Sequence, residues 1–379
     1  MAQTTTKTKP DLGKVLVIGG NGMLGHHLVK LLLESWTAKV SVIDLKCDRN
    51  RLSGASYHEA DITDADRMQS LFEDIKPDVV IHTASPAPQA GNAVANELFK
   101  KVNVDGTRVV VEACQKTGVK ALVYTSSASI MTDNKSDLLN ANENFPVYRG
   151  AAQPEYYSET KAEAEEIVLK ANRQEGYNLL TASIRPAGIF GEGDAMTIKH
   201  LVNIYLQGRT NVQVGDNNNL FDFTYATNAA HAHLLAARAL LLTHRSSTIP
   251  IDTERVDGEA FIVTNDSPVY FWDFCRAVWR AAGNDAGTEG VWRLPTDVGL
   301  ALGFLSEVFF GIIRKPPTFN RQRITYSSMT RYYNIRKIKD RLGYMPLVSL
   351  PAGIERSVKW YLESNEEAAA RAAALKQKA

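Results

Sequence analysis

From Lys14 to Arg185 the chain alternates short, unbroken apolar runs with longer amphipathic stretches, which predicts repeated β-α-β units. Strands are expected at Val15 to Ile18, Val40 to Asp44, Val79 to His82, Ala121 to Thr125 and Leu180 to Arg185. None of these runs alternates apolar with polar positions, as befits strands covered on both faces of a parallel sheet. Helices are expected over Met23 to Leu33, Ala65 to Ile75, Ala93 to Thr117 and Tyr157 to Arg173, each ending near a glycine, a proline or a turn. Past Arg185 the rhythm loosens. Gly188, Gly191, Gly193, Gly208, Gly215 and the run Asn217 to Asn219 cut the chain into short pieces, which read as loops and small elements capping the sheet. The expected fold class is α/β, a doubly wound parallel sheet with a smaller C-terminal region that builds a ligand pocket.

The first apolar run leads into Gly19, Gly20, Asn21, Gly22, Met23, Leu24 and Gly25, after which a helix begins. A glycine turn between the first strand and helix of a β-α-β unit lets backbone amides and the helix dipole receive a pyrophosphate, and a Cβ there would hold the backbone away. Gly20, Gly22 and Gly25 give the spacing G-x-G-x-x-G, while Gly19, Gly22 and Gly25 give G-x-x-G-x-x-G; the loop alone does not choose between them. Asp44 ends the second strand where an acid accepts hydrogen bonds from an adenosine ribose. A carboxylate there repels a 2′-phosphate, so NAD is favoured. Lys46, Arg49 and Arg51 nearby leave NADP open, and Asp44 alone would read equally well as a solvated acid at a strand end.

Tyr157 and Lys161 stand four apart at the start of a helix, so both project from one face. A phenol with a pKa near ~10 is a poor base, and a neighbouring ammonium favours its phenolate. Tyr333 and Lys337 repeat the spacing with no strand or serine in support and read as surface chemistry. Ser127 distinguishes the first pair: it lies just beyond the carboxyl end of the strand Ala121 to Thr125, where ligands sit in a doubly wound sheet.

These residues, with Asp61-Ile62, His82 to Ser85, Asn103 to Thr107 and Arg185-Pro186, resemble the extended short-chain dehydrogenases in order and spacing. Ala84-Ser85-Pro86, Thr125 to Ser129, Tyr156 to Lys161, Ile184 to Gly191 and Asp222-Phe223-Thr224 are similar to the 3β-hydroxysteroid dehydrogenase branch, in particular its decarboxylating sterol-4α-carboxylate 3-dehydrogenases. The resemblance covers roughly 14–362. It implies a Rossmann-type NAD(P)-binding domain over 14–190; the Thr- and Lys-rich stretch before it, 1–13, reads from its composition as a disordered lead. A mainly substrate-binding region would follow over 191–362, with some elements returning to the Rossmann core, and then a polar tail at 363–379. It also implies that Tyr157 is the acid/base, that Lys161 holds the nicotinamide ribose and lowers the tyrosine pKa, and that Ser127 hydrogen-bonds the substrate oxygen. Gly19, Gly22, Met23, Leu24 and Gly25 would hold the pyrophosphate and Asp44 the ribose; Asp61 and Ile62 would flank the adenine. Ala84, Ser85 and Asn103 would line the cofactor path, and Arg185 with Pro186 would lead past the nicotinamide. The implied reaction is oxidation of a sterol 3β-hydroxyl, with loss of carbon dioxide where a 4α-carboxyl is present.

Composition changes this picture little. Forty-three Lys plus Arg against 42 Asp plus Glu give a net charge of +1, so no global field recommends nucleic acid. Cys47, Cys114 and Cys275 have neither disulfide nor metal-ligand spacing; His231 and His233 lack a third ligand, so no metal is expected. Trp272, Phe274, Trp279 and Trp292 read as core or pocket wall. Val298 to Ile313 is apolar but carries Glu307 and is short for a bilayer span. Rimmed by Arg314 and Lys315, it reads either as a core helix or as a helix lying in a membrane interface. The family resemblance favours a peripheral position on the cytosolic face of the endoplasmic reticulum, with the cytoplasm as alternative, and a homodimer. Rival readings are a terpenoid dehydrogenase or nucleotide-sugar epimerase on the same scaffold, and an NAD(P)-sensing regulatory protein. A sugar nucleotide would call for a polar, basic pocket, and a sensor could dispense with Ser127, Tyr157 and Lys161.

Overall fold

Each apolar run expected to be a strand is one, and the sheet they form is wider than those runs alone foretell. The computed structural model describes residues 9–87, 93–313 and 319–376. The N-terminal half runs β1 (Asp11–Ile18), α1 (Met23–Ser35), β2 (Thr37–Asp44), β3 (Ala55–Glu59), α2 (Ala65–Ile75), β4 (Val79–His82), α3 (Ala93–Phe99), α4 (Thr107–Thr117), β5 (Ala121–Thr125), β6 (Leu138–Ala141), α5 (Tyr156–Lys170) and β7 (Leu180–Pro186). After it come β8 (Gly188–Phe190), α6 (Thr197–Leu206), β9 (Val212–Val214), β10 (Leu220–Phe221), β11 (Phe223–Tyr225), α7 (Ala226–Arg245), β12 (Glu259–Val263), β13 (Val269–Tyr270) and α8 (Phe271–Ala281). The chain finishes with β14 (Trp292–Leu294), α9 (Thr296–Ile312), α10 (Arg321–Ser328), β15 (Arg331–Tyr333), α11 (Arg336–Leu342), α12 (Leu350–Glu363) and α13 (Glu366–Lys376).

Seven parallel strands lie in the order β12-β7-β5-β4-β1-β2-β3. Chain order reverses between β1 and β4, and that switch point opens the crevice in which such sheets bind ligands. Strands β4, β5 and β7 are buried along their whole length, which explains why their sequences carry no polar alternation. Helices α1 and α7 cover one face; α2, α4 and α5 cover the other. Local signals fix the helix ends: the Asp64 side chain accepts from the Arg67 amide at 3.0 Å to start α2, and left-handed Gly118 ends α4.

Two strands escaped the sequence pattern. Strand β3, Ala-Ser-Tyr-His-Glu, is a polar edge strand with no fully buried residue. Strand β12 comes from the C-terminal half and pairs Phe261 with Ile184, so that half returns to the sheet through α7 and β12. The first strand begins at Asp11, inside the expected lead, because Pro10 and Asp11 already engage β2. The polar tail contains helix α13, which buries Ala368 and Ala372 beside α6 and α12; small alanines suffice where helices approach closely. Residues 1–8 of the lead and 377–379 of the tail lie outside the described residues. The long helix expected over Ala93 to Thr117 is continuous but widens into a π-turn at Lys100–Gly106.

Three readings of the C-terminal half change. Trp292 is 62% exposed rather than a wall of the core. Tyr333 and Lys337 are not surface chemistry: the Tyr333 ring is buried, and Lys337 donates to Glu259 at 2.6 Å and to the Ala260 carbonyl at 2.8 Å. Helix α9 is not a core helix. Only Gly299 and Gly303 of α9 are buried, against α10, while Leu305, Phe309 and Ile312 stand 60%, 59% and 77% exposed. The basic residues Arg314 and Lys315 expected at its rim lie outside the described residues.

Candidate active site

The glycine loop follows β1 directly, and its glycines have different duties. Gly19 has φ +85°, and a Cβ on it would meet the Ala84 backbone at 2.7 Å. At Gly25 a Cβ would strike the Gly19 carbonyl oxygen at 2.1 Å, so Gly25 is what lets α1 start tightly against the loop. Gly22 is open on the side of its missing Cβ apart from that same carbonyl, at 3.3 Å. Helix α1 has no side-chain cap and no acid in its first turn, so the leading amides of Met23, Leu24 and Gly25 are offered outward to an anion. This uncapped cradle, too tight for any Cβ at Gly25, fits a dinucleotide pyrophosphate.

Asp44 is tied to the same loop. Its carboxylate accepts from the Asn21 amide at 2.9 Å and the Leu45 amide at 2.8 Å. The loop is braced from beyond by Asn21 and Asn50, the Asn50 side chain donating to the Asn21 carbonyl at 2.9 Å. Asp61 accepts from the amide and hydroxyl of Thr63 at 2.9 and 2.8 Å; partial burial pushes its pKa up, but these bonds and Lys101 hold it below the usual range. Ile62 packs where a Cβ on Gly106 would otherwise stand, 2.6 Å from its Cδ1.

Tyr157 opens α5 and Ser127 follows β5, and a hydrogen-bonded frame surrounds both. Ser85 donates to Asn103 at 2.9 Å, the Asn103 amide donates to Thr160 at 3.0 Å, and Thr160 donates to the Tyr157 carbonyl at 2.8 Å. Ser85 lies near enough to the Tyr157 hydroxyl to pull its pKa down, and the Tyr157 ring stands edge-on to Phe99 at 5.5 Å. The π-turn therefore has a use: it carries Asn103, the hub of this frame. On the other side, Ser127 accepts from the Ser129 amide at 3.1 Å, while the Ser127 and Ser129 hydroxyls are 2.8 Å apart. Ser158 reaches Ser129 at 2.8 Å but Glu155 only at 3.4 Å. With the Ser158 proton on the shorter bond, the Ser129 proton points at Ser127, and the Ser127 proton is left free to donate to a substrate oxygen.

The electrostatics differ from the expected pairing. Burial, the larger cause, together with Glu155 pushes Tyr157 up to about 12 against the opposing pull of Ser85. Burial also brings Lys161 down to about 7, although Glu165 works in the opposite direction. The Lys161 ammonium donates to the Thr125 carbonyl at 2.5 Å and lies 4.4 Å over the Tyr124 ring, so it does not acidify the phenol in this arrangement. Arg185 is likewise committed elsewhere: its guanidinium meets Glu165 at 2.5 and 2.9 Å, both side chains buried, leaving only its backbone and that of Pro186 in β7 to line the path. His233 accepts or donates at 2.7 Å to Thr125 and bonds the Ala229 carbonyl, while His231 packs beside Tyr344; among the described residues no group of three or more metal-ligating side chains gathers. Ser129, Ser158, Thr160 and Glu165 were not singled out from sequence. The helical spacing of Ser158 and Glu165 from Tyr157 and Lys161 was the available signal.

The profile of the 3-beta hydroxysteroid dehydrogenase/isomerase family matches residues 16–296. The chain is 38% identical to the decarboxylating sterol-4-alpha-carboxylate 3-dehydrogenase of Schizosaccharomyces pombe, over 92% of this chain and 97% of that one. It is 34% identical to the human protein of that name, over 95% and 93%. Among solved structures, a Thermotoga maritima UDP-glucose 4-epimerase superposes with a TM-score of 0.67 at 20% identity, covering 93% of this chain and 99% of that chain, a likeness of fold.

Proposed function

The chain belongs to the 3-beta hydroxysteroid dehydrogenase/isomerase family, and from that premise we propose that it oxidises the 3β-hydroxyl of a 4α-carboxysterol with NAD, releasing carbon dioxide to give the 3-ketosteroid. The observation that carries the reading is the arrangement of Ser127 and Tyr157 at the carboxyl end of β5, in a chain similar over nearly its whole length to decarboxylating dehydrogenases.

The uncapped start of α1 holds the pyrophosphate, and Asp44 holds the ribose diol and disfavours a 2′-phosphate. A bound nicotinamide supplies the acceptor for the hydrogen and electron pair leaving carbon 3. Ser127 donates to the substrate oxygen and keeps it in place. Tyr157, as its phenolate, receives the proton of the substrate alcohol and becomes the neutral phenol. For that its pKa must fall from about 12, and Lys161, one turn further along α5, is the cation available to lower it once it turns from the Thr125 carbonyl to the phenol. Oxidation puts a carbonyl β to the 4α-carboxylate. The carbon–carbon bond to the carboxylate then breaks, its electrons move onto the carbonyl oxygen beside Ser127, carbon dioxide leaves, and carbon 4 takes up a proton. No further residue is needed for that step.

Such a substrate is dissolved in membrane, and the apolar surface of α9 is read as the contact with a lipid surface. No helix among the described residues is long and apolar enough to cross a membrane, so the contact is peripheral.

The experiment supplies purified protein with NAD or NADP and 3β-hydroxysterols with and without a 4α-carboxyl, following reduced cofactor and released carbon dioxide. Cofactor reduction without carbon dioxide from the carboxylated sterol removes the decarboxylating part; no reduction with any sterol removes the whole reading. Run alongside, Tyr157→Phe keeps cofactor binding and turns over about 10²- to 10⁴-fold more slowly.

A further inference from the structure

Arg331 opens β15, between Leu138 of β6 and Phe221 of β10, and is only 8% exposed. Its Nε donates to the Tyr333 hydroxyl at 2.9 Å, and its guanidinium carbon lies 5.9 Å from the centre of the Tyr326 ring. Among the described residues, no carboxylate lies within salt-bridge distance of it, and its two terminal nitrogens make no hydrogen bond. Two other buried charged groups are paired, Arg185 with Glu165 at 2.5 Å and Asp257 with Arg173 at 2.6 Å, whereas Lys161 is held by the Thr125 carbonyl. A buried cation left without a counter-ion is among the costliest arrangements in a fold, which directs attention to an anion that arrives from outside.

The surroundings say where that anion would sit. Tyr326 packs on Phe221 at 5.1 Å, and its hydroxyl lies 3.7 Å from the place a Cβ would occupy on Gly188, two residues beyond Pro186. Tyr326 keeps 39% of its surface open although the Phe221 and Phe271 rings pack against it. Glu155 lies two residues before Tyr157, and its charge raises the pKa of Arg331, Tyr326 and Tyr157. Glu155 accepts from Gln322 of α10 at 2.8 Å and stands beyond salt-bridge distance of Arg331, acting on it only at longer range. Gln322 and Tyr326 are one turn apart on α10, so the helix that flanks the guanidinium also meets the start of α5, where Tyr157 stands.

We propose that Arg331 is the specificity-determining residue for the substrate carboxylate, its terminal nitrogens receiving the 4α-carboxyl group while the 3β-hydroxyl lies at Ser127 and Tyr157. This rests on the function proposed above and deepens it. A planar guanidinium offers a carboxylate two parallel donors, which orients the ring as well as binding it. Carbon dioxide is neutral, so the product loses its hold on Arg331 as soon as the carbon–carbon bond is broken.

The test compares wild type, Arg331→Lys and Arg331→Met with NAD and two substrates, a 3β-hydroxysterol bearing the 4α-carboxyl and the same sterol without it. For the carboxylated sterol, kcat/KM falls about 10- to 100-fold in Arg331→Met, mostly through KM, and recovers in part in Arg331→Lys. For the uncarboxylated sterol it stays within about threefold of wild type. Equal losses on both substrates, or no loss on either, overturn the proposal. A measurement on wild type alone covers variants that do not fold: 3-deoxysterols with and without the 4α-carboxyl are compared as competitive inhibitors. The carboxylated one binds about tenfold tighter or better; equal inhibition overturns the proposal. Wild type that oxidises the uncarboxylated sterol alone overturns the carboxylate reading while the dehydrogenase reading stands; wild type that reduces NAD with neither sterol overturns both.

Discussion

Removing the carboxylate of Glu165 should damage the protein in two ways that can be separated. Glu165 on α5 meets the Arg185 guanidinium on β7 at 2.5 and 2.9 Å and also accepts from the Ser183 hydroxyl at 2.7 Å. The two ionic side chains are only 7% and 5% exposed. Glu165→Met therefore strands a guanidinium in the interior, and loss of one partner of such a pair costs about 3–5 kcal/mol. In a protein of this size that is a fall in melting temperature on the order of 10 °C. Glu165→Met combined with Arg185→Met removes both charges, leaves apolar volume behind, and should melt within a few degrees of wild type. The second effect is electrostatic. Glu165 is what holds the Lys161 pKa up against burial, so either variant lowers it further below about 7. With less ammonium available to turn from the Thr125 carbonyl to the Tyr157 phenolate in the working complex, the high-pH limb of activity moves to lower pH in both variants.

The assay pairs thermal unfolding, followed by circular dichroism and tryptophan fluorescence, with pH-rate profiles of NAD reduction taken well below the melting range. The expected pattern is a stability defect in the single variant only and a shifted pH limb in both. Single and double variants that melt alike would sink the buried-charge argument. A double variant with the wild-type pH limb would show that Glu165 does not set the state of Lys161.

Two further outcomes follow from burial. His82 and His233 are lowered to about 3 and about 4, by burial first and with the Lys161 ammonium adding to it, while the Ala229 carbonyl opposes the shift at His233, so between those values and 6.5 the unfolded chain binds protons that the folded one refuses. Their contribution is present above 6.5 and lost as pH falls toward 3, and denaturant midpoints should drop steadily from pH 7 to 4; a flat profile would remove both histidines from the acid response. The exposed face of α9 should carry the protein onto sterol-containing phospholipid vesicles in co-sedimentation, and Leu305→Ser with Phe309→Ser should release it while leaving its melting curve unchanged. Equal sedimentation of variant and wild type would deny α9 that role.

What the sequence revealed, and what it concealed, divides along a physical line. Strands β1, β2, β4, β5 and β7 could be read because central parallel strands are buried on both faces and their side chains have no polar duty. Strand β3 could not, because an edge strand with half-exposed residues has the composition of a loop, and β12 could not, because its place beside β7 is decided by a return of the chain rather than by local pattern. The glycine loop was legible as a requirement for absent atoms: at Gly25 the fold tolerates nothing beyond hydrogen. Tyr157 and Lys161 were legible as a spacing, but spacing says nothing of direction. One helical turn puts two side chains on one face, yet the Thr125 carbonyl and the Tyr124 ring claim the ammonium, and burial shifts both groups away from the values that chemistry needs.

The residues that complete the site were the least visible, because their meaning depends on partners far along the chain. Ser158 looks like an ordinary helix surface residue until Ser129 is found 2.8 Å away, across 29 positions of sequence. Arg331, read from sequence, is only the neighbour of a tyrosine-lysine pair dismissed as surface chemistry. Its interest arises from a deficit, the lack of an acid beside a buried cation, and a deficit of that kind appears only when every neighbour is known. The Tyr333 and Lys337 spacing thus repeated the catalytic one by coincidence, yet it marked a strand that matters: Tyr333 accepts the one side-chain hydrogen bond that Arg331 makes, and so aims the rest of the guanidinium elsewhere. Tyr333→Phe should then leave Arg331 in place but free to turn, weakening discrimination for the carboxylated sterol less than Arg331→Met does. If Tyr333→Phe weakened it more, the phenol rather than the guanidinium would be the group that recognises the carboxylate.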